Sequence, residues 1–149
     1  TQAISAGGHH SLFLHQDGTV YASGRNDWGQ LCDGTLLYKP GVVPVMTDVR
    51  AISAGGWHSV FLRNDGTAWA CGRNDYGQLG DGTTQLRKPP FKVLDDVVSV
   101  STGEFYSIYV RQDGTMWAAG LFDSGLPRDK TNWTLVQVFG EEDVQKMTS

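Results

Sequence analysis

The sequence predicts an all-β fold of three β-propeller blades, each with about four antiparallel strands, forming part of a ring. The first observation is a repeat: Ala3–Gly34 and Ala51–Gly82 carry nearly the same residues, 48 positions apart. A third, more divergent copy covers Ser99–Gly125. The second observation is that no helix of useful length is indicated. A repeat period of roughly 20–50 residues is typical of solenoids, propellers and arrays.

Each copy begins with a short strand and a glycine turn, as in Ala3–Ala6 followed by Gly7-Gly8. Glycine permits positive φ and close backbone approach, which a tight turn near a crowded axis requires. The next strand, Ser11-Leu12-Phe13-Leu14, is apolar without alternation. Such a strand is expected to be covered on both faces.

An Asp-Gly pair follows in every copy, at Asp17, Asp65 and Asp113. This pair is the strongest short-range hairpin signal, and we predict a two-residue hairpin loop. The returning strand has a large aromatic residue at its third place, expected to pack between neighbouring sheets. These aromatic residues are Tyr21, Trp69 and Trp117.

A polar loop and an edge strand complete each copy. The loop Arg25–Gln30, repeated as Arg73–Gln78, contains the turn formers Asn, Asp and Gly and is therefore predicted at the surface. The last strands, Val42–Met46 and Phe91–Leu94, are flanked by prolines, which confine them to the sheet edge. A solenoid is the alternative, but about 48 residues is long for one coil and the hairpins are antiparallel.

Composition limits the classes of partner. The net charge is −4, and the Lys and Arg residues are scattered along the sequence. Nucleic-acid binding requires a concentrated basic face, so direct binding of nucleic acid is not expected. No apolar run approaches the ~18–20 residues that cross a bilayer, so membrane insertion is not expected. No signal peptide is visible and the sequon Asn132-Trp133-Thr134 stands alone, so an intracellular location is favoured.

The two cysteines occupy different places in the repeat. Neither Cys32 nor Cys71 lies in a metal-binding or redox spacing. We interpret them as two reduced structural thiols, with a disulfide left open.

These repeats resemble the regulator of chromosome condensation repeat family. Its repeat has an AxGxxHS strand, a DGxVYxWG hairpin and an NxxGQLG loop, and the first two copies match this pattern well. The third copy departs, with Tyr106 in place of the histidine and Gly125-Leu126-Pro127 in place of Gly-Gln-Leu. The resemblance covers nearly the whole chain and implies a ring of about seven blades. Kelch and WD repeats also form propellers, but no WD dipeptide follows the Gly-His pattern.

We predict one partial propeller domain over residues 1–149, with repeats at about 1–48, 49–96 and 97–143 and a fourth beginning at 144–149. Three blades cannot close a ring, and each open flank would expose an apolar sheet face. The missing blades are therefore expected from the rest of a longer chain or from another chain.

An enzyme is not expected. His10 and His58 hold equivalent places at the start of a buried strand, which indicates a repeated packing role. No catalytic triad, HExxH motif or phosphate-binding glycine loop occurs. Each Asp-Gly-Thr segment offers one carboxylate, far fewer than the 6–8 oxygens of a calcium site. No cofactor or metal is predicted.

Two sets of residues are candidates for binding a protein partner. The first follows the glycine turns, where residues vary between copies beside constant neighbours: His9, Trp57 and Phe105, with Glu104 adjacent. The second is on the polar loop: Arg25, Trp28, Arg73 and Tyr76. Trp, Tyr and Arg are the usual anchors of interfaces. For the second set, packing of the aromatics under the loop is the alternative.

The sequence therefore predicts a non-catalytic protein-interaction or scaffold module. The resemblance also implies an alternative, guanine-nucleotide exchange on a small GTPase, since chromatin-bound members have that activity. A purely structural subunit of a large assembly is a further alternative.

Overall fold

The computed structural model describes residues 2–121 and 135–139. Within these ranges the regular secondary structure is β-strand, arranged as three four-stranded antiparallel sheets. Each sheet is one propeller blade, which confirms the all-β prediction of a partial propeller. None of the described segments forms a helix long and apolar enough to cross a membrane.

The strands of each blade are hydrogen-bonded in chain order. Blade one consists of β1 (Ala3–Ala6), β2 (His10–Leu14), β3 (Val20–Gly24) and β4 (Lys39–Met46). Blade two consists of β5 (Val49–Ala54), β6 (His58–Arg63), β7 (Ala68–Gly72) and β8 (Arg87–Leu94). Blade three consists of β9 (Val97–Thr102), β10 (Tyr106–Arg111), β11 (Met116–Gly120) and β12 (Val136–Phe139). The first strands of neighbouring blades contact each other, so they lie at the centre.

The hairpin between the second and third strands differs from the prediction. The backbone N–H of His15 donates to Thr19 O over 2.9 Å, and that of Gly18 donates to His15 O over 3.0 Å. The loop therefore has three residues, with Gly18 at φ 88°. A type I turn followed by a left-handed glycine gives this geometry. The carboxylate of Asp17 accepts from the Thr19 N–H at 2.9 Å, which fixes the turn.

The paired glycines allow close approach at the centre, as predicted. A Cβ on Gly8 would lie 2.8 Å from Gly56 O, and one on Gly56 would lie 2.8 Å from Glu104 O. Positive φ is not the reason, because neither glycine of either pair has a positive φ. The requirement is for space between neighbouring blades.

The rim strands are longer than predicted. β4 and β8 begin at Lys39 and Arg87 rather than at Val42 and Phe91, and they include the flanking prolines. Their position at the sheet edge confirms the proline argument, because one side of an edge strand needs no N–H donor.

Two apolar cores lie between the blades. One joins Leu12, Leu14 and Leu31 of blade one to Phe61 and Cys71 of blade two, with Trp69 packed against it. The other joins Val60, Leu62 and Leu79 of blade two to Tyr109 of blade three.

The two-sided burial that the sequence predicts holds for the middle blade, where every residue from His58 to Leu62 is buried. It does not hold for β2, where burial alternates. One face of blade one has no described blade against it.

Several predicted features lie outside the described residues. They are the altered Gly125-Leu126-Pro127 loop, the sequon Asn132-Trp133-Thr134 and the start of a fourth copy at 144–149.

Candidate functional site

Both predicted sets of binding residues lie at the same end of the blades. The turns between first and second strands carry His9, Trp57 and Phe105, and these turns are tied together across blades. The Gly8 N–H donates to Gly55 O, and the Gly56 N–H donates to Glu104 O, each over 3.2 Å. The loops after β3 and β7 bring the second set to the same surface.

Aromatic and arginine side chains from three blades form two clusters at this end of the blades. The ring centroids of His9 and Trp57 are 4.1 Å apart. The guanidinium carbon of Arg25 lies 5.4 Å from the Trp57 ring centroid. These contacts join a turn of blade one, a loop of blade one and a turn of blade two.

Arg73 is at the centre of the second cluster. Its guanidinium carbon lies 4.5 Å from the ring centroid of Trp28 and 5.6 Å from those of Tyr76 and Phe105. Tyr76 and Phe105 also meet edge to face at 5.0 Å. We call the seven residues the aromatic–arginine row: His9, Arg25, Trp28, Trp57, Arg73, Tyr76 and Phe105. Glu104 lies beside the row and is exposed.

The packing explanation for the loop aromatics is partly right. Trp28 and Tyr76 are half-buried, and Arg73 packs on both rings. Each contact between a cation and a ring face contributes about 0.5–1 kcal/mol at an exposed site. The row is therefore held in place before any partner arrives.

Aspartates that the sequence analysis did not select orient both arginines. Arg73 forms a bidentate ion pair with Asp75: its Nε donates to Oδ1 at 2.7 Å and its Nη2 donates to Oδ2 at 2.8 Å. Arg25 pairs with Asp27 at 3.2 Å. The hydrogen bond to Asp75 raises the pKa of Arg73 above its ordinary value. The repeated Arg-Asn-Asp triplet was the signal that could have identified them.

A buried asparagine holds each loop in shape. The Asn74 side-chain amide donates to Asp81 Oδ1 at 2.9 Å and to the backbone carbonyls of Thr83 and Gln85 at 3.0 Å. Its oxygen accepts from the Leu79 N–H at 3.0 Å. Asn26 makes the same contacts in blade one. A loop with this internal network is a rigid platform for Arg73 and Tyr76.

Asn74→Ala is expected to lower the free energy of unfolding by about 3 kcal/mol. The substitution leaves a buried N–H and two carbonyls without their partner, at about 1–3 kcal/mol for a buried group. Denaturant unfolding measures the loss. Gln85→Ala is the matched control, because only its backbone joins the network, and it should change stability by less than about 0.5 kcal/mol. Equal stability of the two variants would contradict the network's role.

The histidines at the start of β2 and β6 are structural, as predicted. His10 Nε2 lies 2.8 Å from Ser59 Oγ, and His58 Nε2 lies 3.0 Å from Ser107 Oγ. Each bond links one blade to the next. Burial lowers the pKa of His10 to about 4 and that of His58 to about 3.

The interpretation of the cysteines as reduced thiols is wrong. Cys32 and Cys71 form a disulfide with a Cα–Cα distance of 5.7 Å. Cys32 follows the loop of blade one, and that loop packs on the third strand of blade two. The two cysteines occupy different positions of the repeat, and the packing of blade one on blade two brings them together.

No group of three or more His, Cys, Asp or Glu side chains in the described part of the chain could hold a metal ion. The turns themselves line a shallow cavity of about 290 Å³ that reaches Trp57 and Glu104. The site is thus a surface of rings, guanidinium groups and the carboxylates of Asp27, Asp75 and Glu104, suited to contact with another macromolecule.

Two models of the regulator of chromosome condensation (RCC1) repeat match the sequence. One matches residues 2–30 and 49–78, and the other matches residues 17–62 and 65–110, which together exceed half of the chain. The chain belongs to the RCC1 repeat family. A search of curated proteins found no match.

Solved structures of RCC1-type propellers share the fold. Human WBSCR16 superposes with a TM-score of 0.77 at 24% identity over 92% of this chain. Yeast RCC1 (Prp20), in its crystal structure with Kap60, gives a TM-score of 0.74 at 26% identity over 94% of the chain. A separate structure of Prp20p from Saccharomyces cerevisiae, described with its binding to Gsp1p and histones, gives 0.74 at 24% identity. The RCC1-repeat chain spans 39%, 37% and 38% of the lengths of these structures.

Proposed function

We propose that this RCC1-repeat chain is a non-catalytic protein-interaction module and that the aromatic–arginine row is its binding face. The observation that carries the proposal is the position of Arg73 among three aromatic rings contributed by all three blades. Aromatic and arginine side chains are the commonest interface anchors. Because these side chains already contact one another, less conformational entropy is lost on binding than for free side chains.

The likeness to yeast RCC1 supports a protein as the partner class. Prp20p is described as binding Gsp1p and histones. The row is suited to such partners because it combines apolar rings with paired charges. Nothing in the row resembles the concentrated basic surface that nucleic acids require.

Trp57→Ala and Phe105→Ala are each expected to weaken binding of a protein partner by about 2 kcal/mol, or roughly thirtyfold in Kd. Core histones and a small GTPase are the probes, measured by titration calorimetry. Leu37→Ala is the control, since Leu37 is 65% exposed and lies outside the row. If neither probe's binding responds to Trp57→Ala and Phe105→Ala, the row is not the binding face.

Guanine-nucleotide exchange remains the second candidate. The same small GTPase, loaded with a fluorescent nucleotide, tests it: accelerated release on addition of the chain supports exchange, and an unchanged rate with intact binding supports a binding module. A purely structural subunit would instead use a broad flat contact, and row substitutions would leave its assembly unchanged.

We also propose that further blades complete the ring, supplied by a longer chain or by another chain. The exposed face of blade one supports this, since Ile4 is 66% exposed although its strand lies at the centre. Light scattering tests it: a soluble, well-folded monomer of these residues alone would contradict the need for further blades.

A further inference from the structure

A small cavity opens between the turns that join the first and second strands. All three blades contribute to its lining, which includes Glu104 and the rings of His9 and Trp57. Its volume of about 290 Å³ is at the low end of ligand pockets, which measure about 300–1,000 Å³. The space suits one side chain of a partner rather than a nucleotide. Five glycines form the rest of the turns: Gly7, Gly8, Gly55, Gly56 and Gly103.

The glycine turns bring Glu104 over their backbone. A Cβ on Gly56 would lie 2.7 Å from Glu104 Cγ. The Glu104 side chain therefore lies against the turn of blade two, in space that any larger residue at position 56 would need. Glu104 is nevertheless exposed. Its carboxylate is available to a ligand that enters the cavity.

The backbone of these turns offers acceptors rather than donors. The N–H groups of all five glycines already donate to carbonyls of the same blade or the next. A ligand that carries N–H donors is therefore favoured over a phosphate or a carboxylate, which would find no free glycine N–H. Four carbonyls accept from no N–H or O–H group in the described part of the chain: those of Gly7, Gly8, Gly56 and Gly103.

The charge beside the cavity also favours a cation. Arg25 pairs with Asp27 at 3.2 Å. Arg73 pairs with Asp75 at 2.7 Å. Each of these pairs has no net charge, whereas Glu104 forms no ion pair with another described residue. The hydrogen bond to Asp75 is the main cause that raises the pKa of Arg73, and the charge of Glu104 adds a smaller part. One carboxylate therefore remains without a counter-ion at the cavity.

An aromatic ring completes the site. Trp57 is half-buried, so part of its ring stays accessible from the cavity. The guanidinium carbon of Arg25 lies 5.4 Å from the centroid of this ring, so its environment already accommodates a cation. Contact between a cation and the face of a tryptophan contributes about 0.5–1 kcal/mol at an exposed site.

We propose that this cavity binds a basic side chain, a lysine or an arginine, presented by a protein partner. Glu104 pairs with the cation, the glycine carbonyls accept its remaining N–H groups, and the Trp57 ring packs against it. Ammonium and guanidinium groups have donors and no acceptor, which matches a site composed of acceptors. This assignment rests on the proposed role of this face in binding a protein, and it adds the chemistry that the partner must present.

The test couples a lysine to the carboxylate that it contacts. The probe is a short alanine peptide with a single central lysine, acetylated at its N-terminus and amidated at its C-terminus, so that the lysine carries its sole amine. A carbodiimide activates a carboxylate of the chain, the lysine amine forms an amide bond with it, and the carbodiimide leaves as the urea. Peptide mapping by mass spectrometry identifies the coupled residue.

We expect coupling at Glu104 to exceed that at Asp17 about tenfold, the factor of one good contact. Asp17 is the matched control, because its side chain is 63% exposed and it lies in the hairpin at the other end of blade one. Trp57→Ala should lower coupling at Glu104 about threefold, as loss of the contact between ring and cation predicts.

Competition shows that binding, and not the reactivity of one carboxylate, causes the difference. An excess of the same peptide with arginine in place of lysine should suppress coupling at Glu104, and a peptide with acetyl-lysine should not. Equal coupling at Glu104 and Asp17 would overturn the proposal, as would coupling at Glu104 that the arginine peptide does not suppress.

The proposed binding face and this cation site can fail separately. If Phe105→Ala weakens binding of a protein partner but the lysine peptide couples equally at Glu104 and Asp17, the row is a binding face and the cavity does not select a basic side chain. If coupling is selective but partner binding ignores the substitutions in the row, the cation site stands and the wider face does not.

Discussion

Acidification from pH 7 to pH 5 should lower the free energy of unfolding by about 4 kcal/mol, because His10 and His58 are buried in neutral form. Their pKa values, about 4 and about 3, lie below the ordinary 6.5. Between those values the unfolded chain binds more protons than the folded one. The stabilisation is therefore complete above about pH 6.5 and is lost as the pH falls toward the folded-state values. Denaturant unfolding at a series of pH values measures it.

The hairpin aspartates do not contribute to the change in stability between pH 7 and pH 5. Hydrogen bonds from Thr19 and Thr67 lower the pKa of Asp17 and Asp65 from 3.8, so their contributions are lost only at lower pH. His58→Gln should remove about half of the pH dependence between pH 7 and 5. A flat stability profile for the unaltered chain in this range would show that the two histidines are not buried as described.

Removing the disulfide should cost about 4 kcal/mol of unfolding free energy, because it closes a long loop with a sequence separation of 39. The most informative variant combines Cys32→Gly with Cys71→Ala. Glycine and alanine occupy the matching positions in the contact between blades two and three, where Gly80 faces Ala119. Glycine suits position 32 because Cys32 has a φ of 63°. Denaturant unfolding with and without reductant measures the effect.

Reductant should lower the stability of the unaltered chain and leave the double variant unchanged. Cys32→Ala with Cys71→Ala should be less stable than the glycine variant by about 1 kcal/mol, since alanine is disfavoured at positive φ. Two free thiols per unfolded chain under non-reducing conditions would contradict the disulfide.

The disulfide shows why spacing alone misled the sequence argument. Cys32 matches Gly80 and Cys71 matches Ala119, so the two cysteines never coincide in the aligned repeats. They meet because the loop of one blade packs on the third strand of the next. The offset between neighbouring blades depends on tertiary packing, and the alignment of repeats contains no information on it.

The aromatic–arginine row shows a second such limit. The sequence marked the turn residues and the loop residues as two separate sets, because they lie far apart in each copy. In the fold, Trp57 of blade two packs on His9 and Arg25 of blade one. Contacts between blades decide which residues share a surface.

By itself, the sequence determined the architecture: the 48-residue repeat, the Asp-Gly hairpins and the proline-flanked edge strands are local patterns, and local backbone chemistry fixes what they form. Only the tertiary structure decided the pairing of the cysteines and the contacts that bring Phe105 to Arg73 and Trp57 to Arg25. The physical reason is that strands and turns depend on neighbours in the chain, whereas burial, side-chain pairing and a shared surface depend on how one sheet packs against the next.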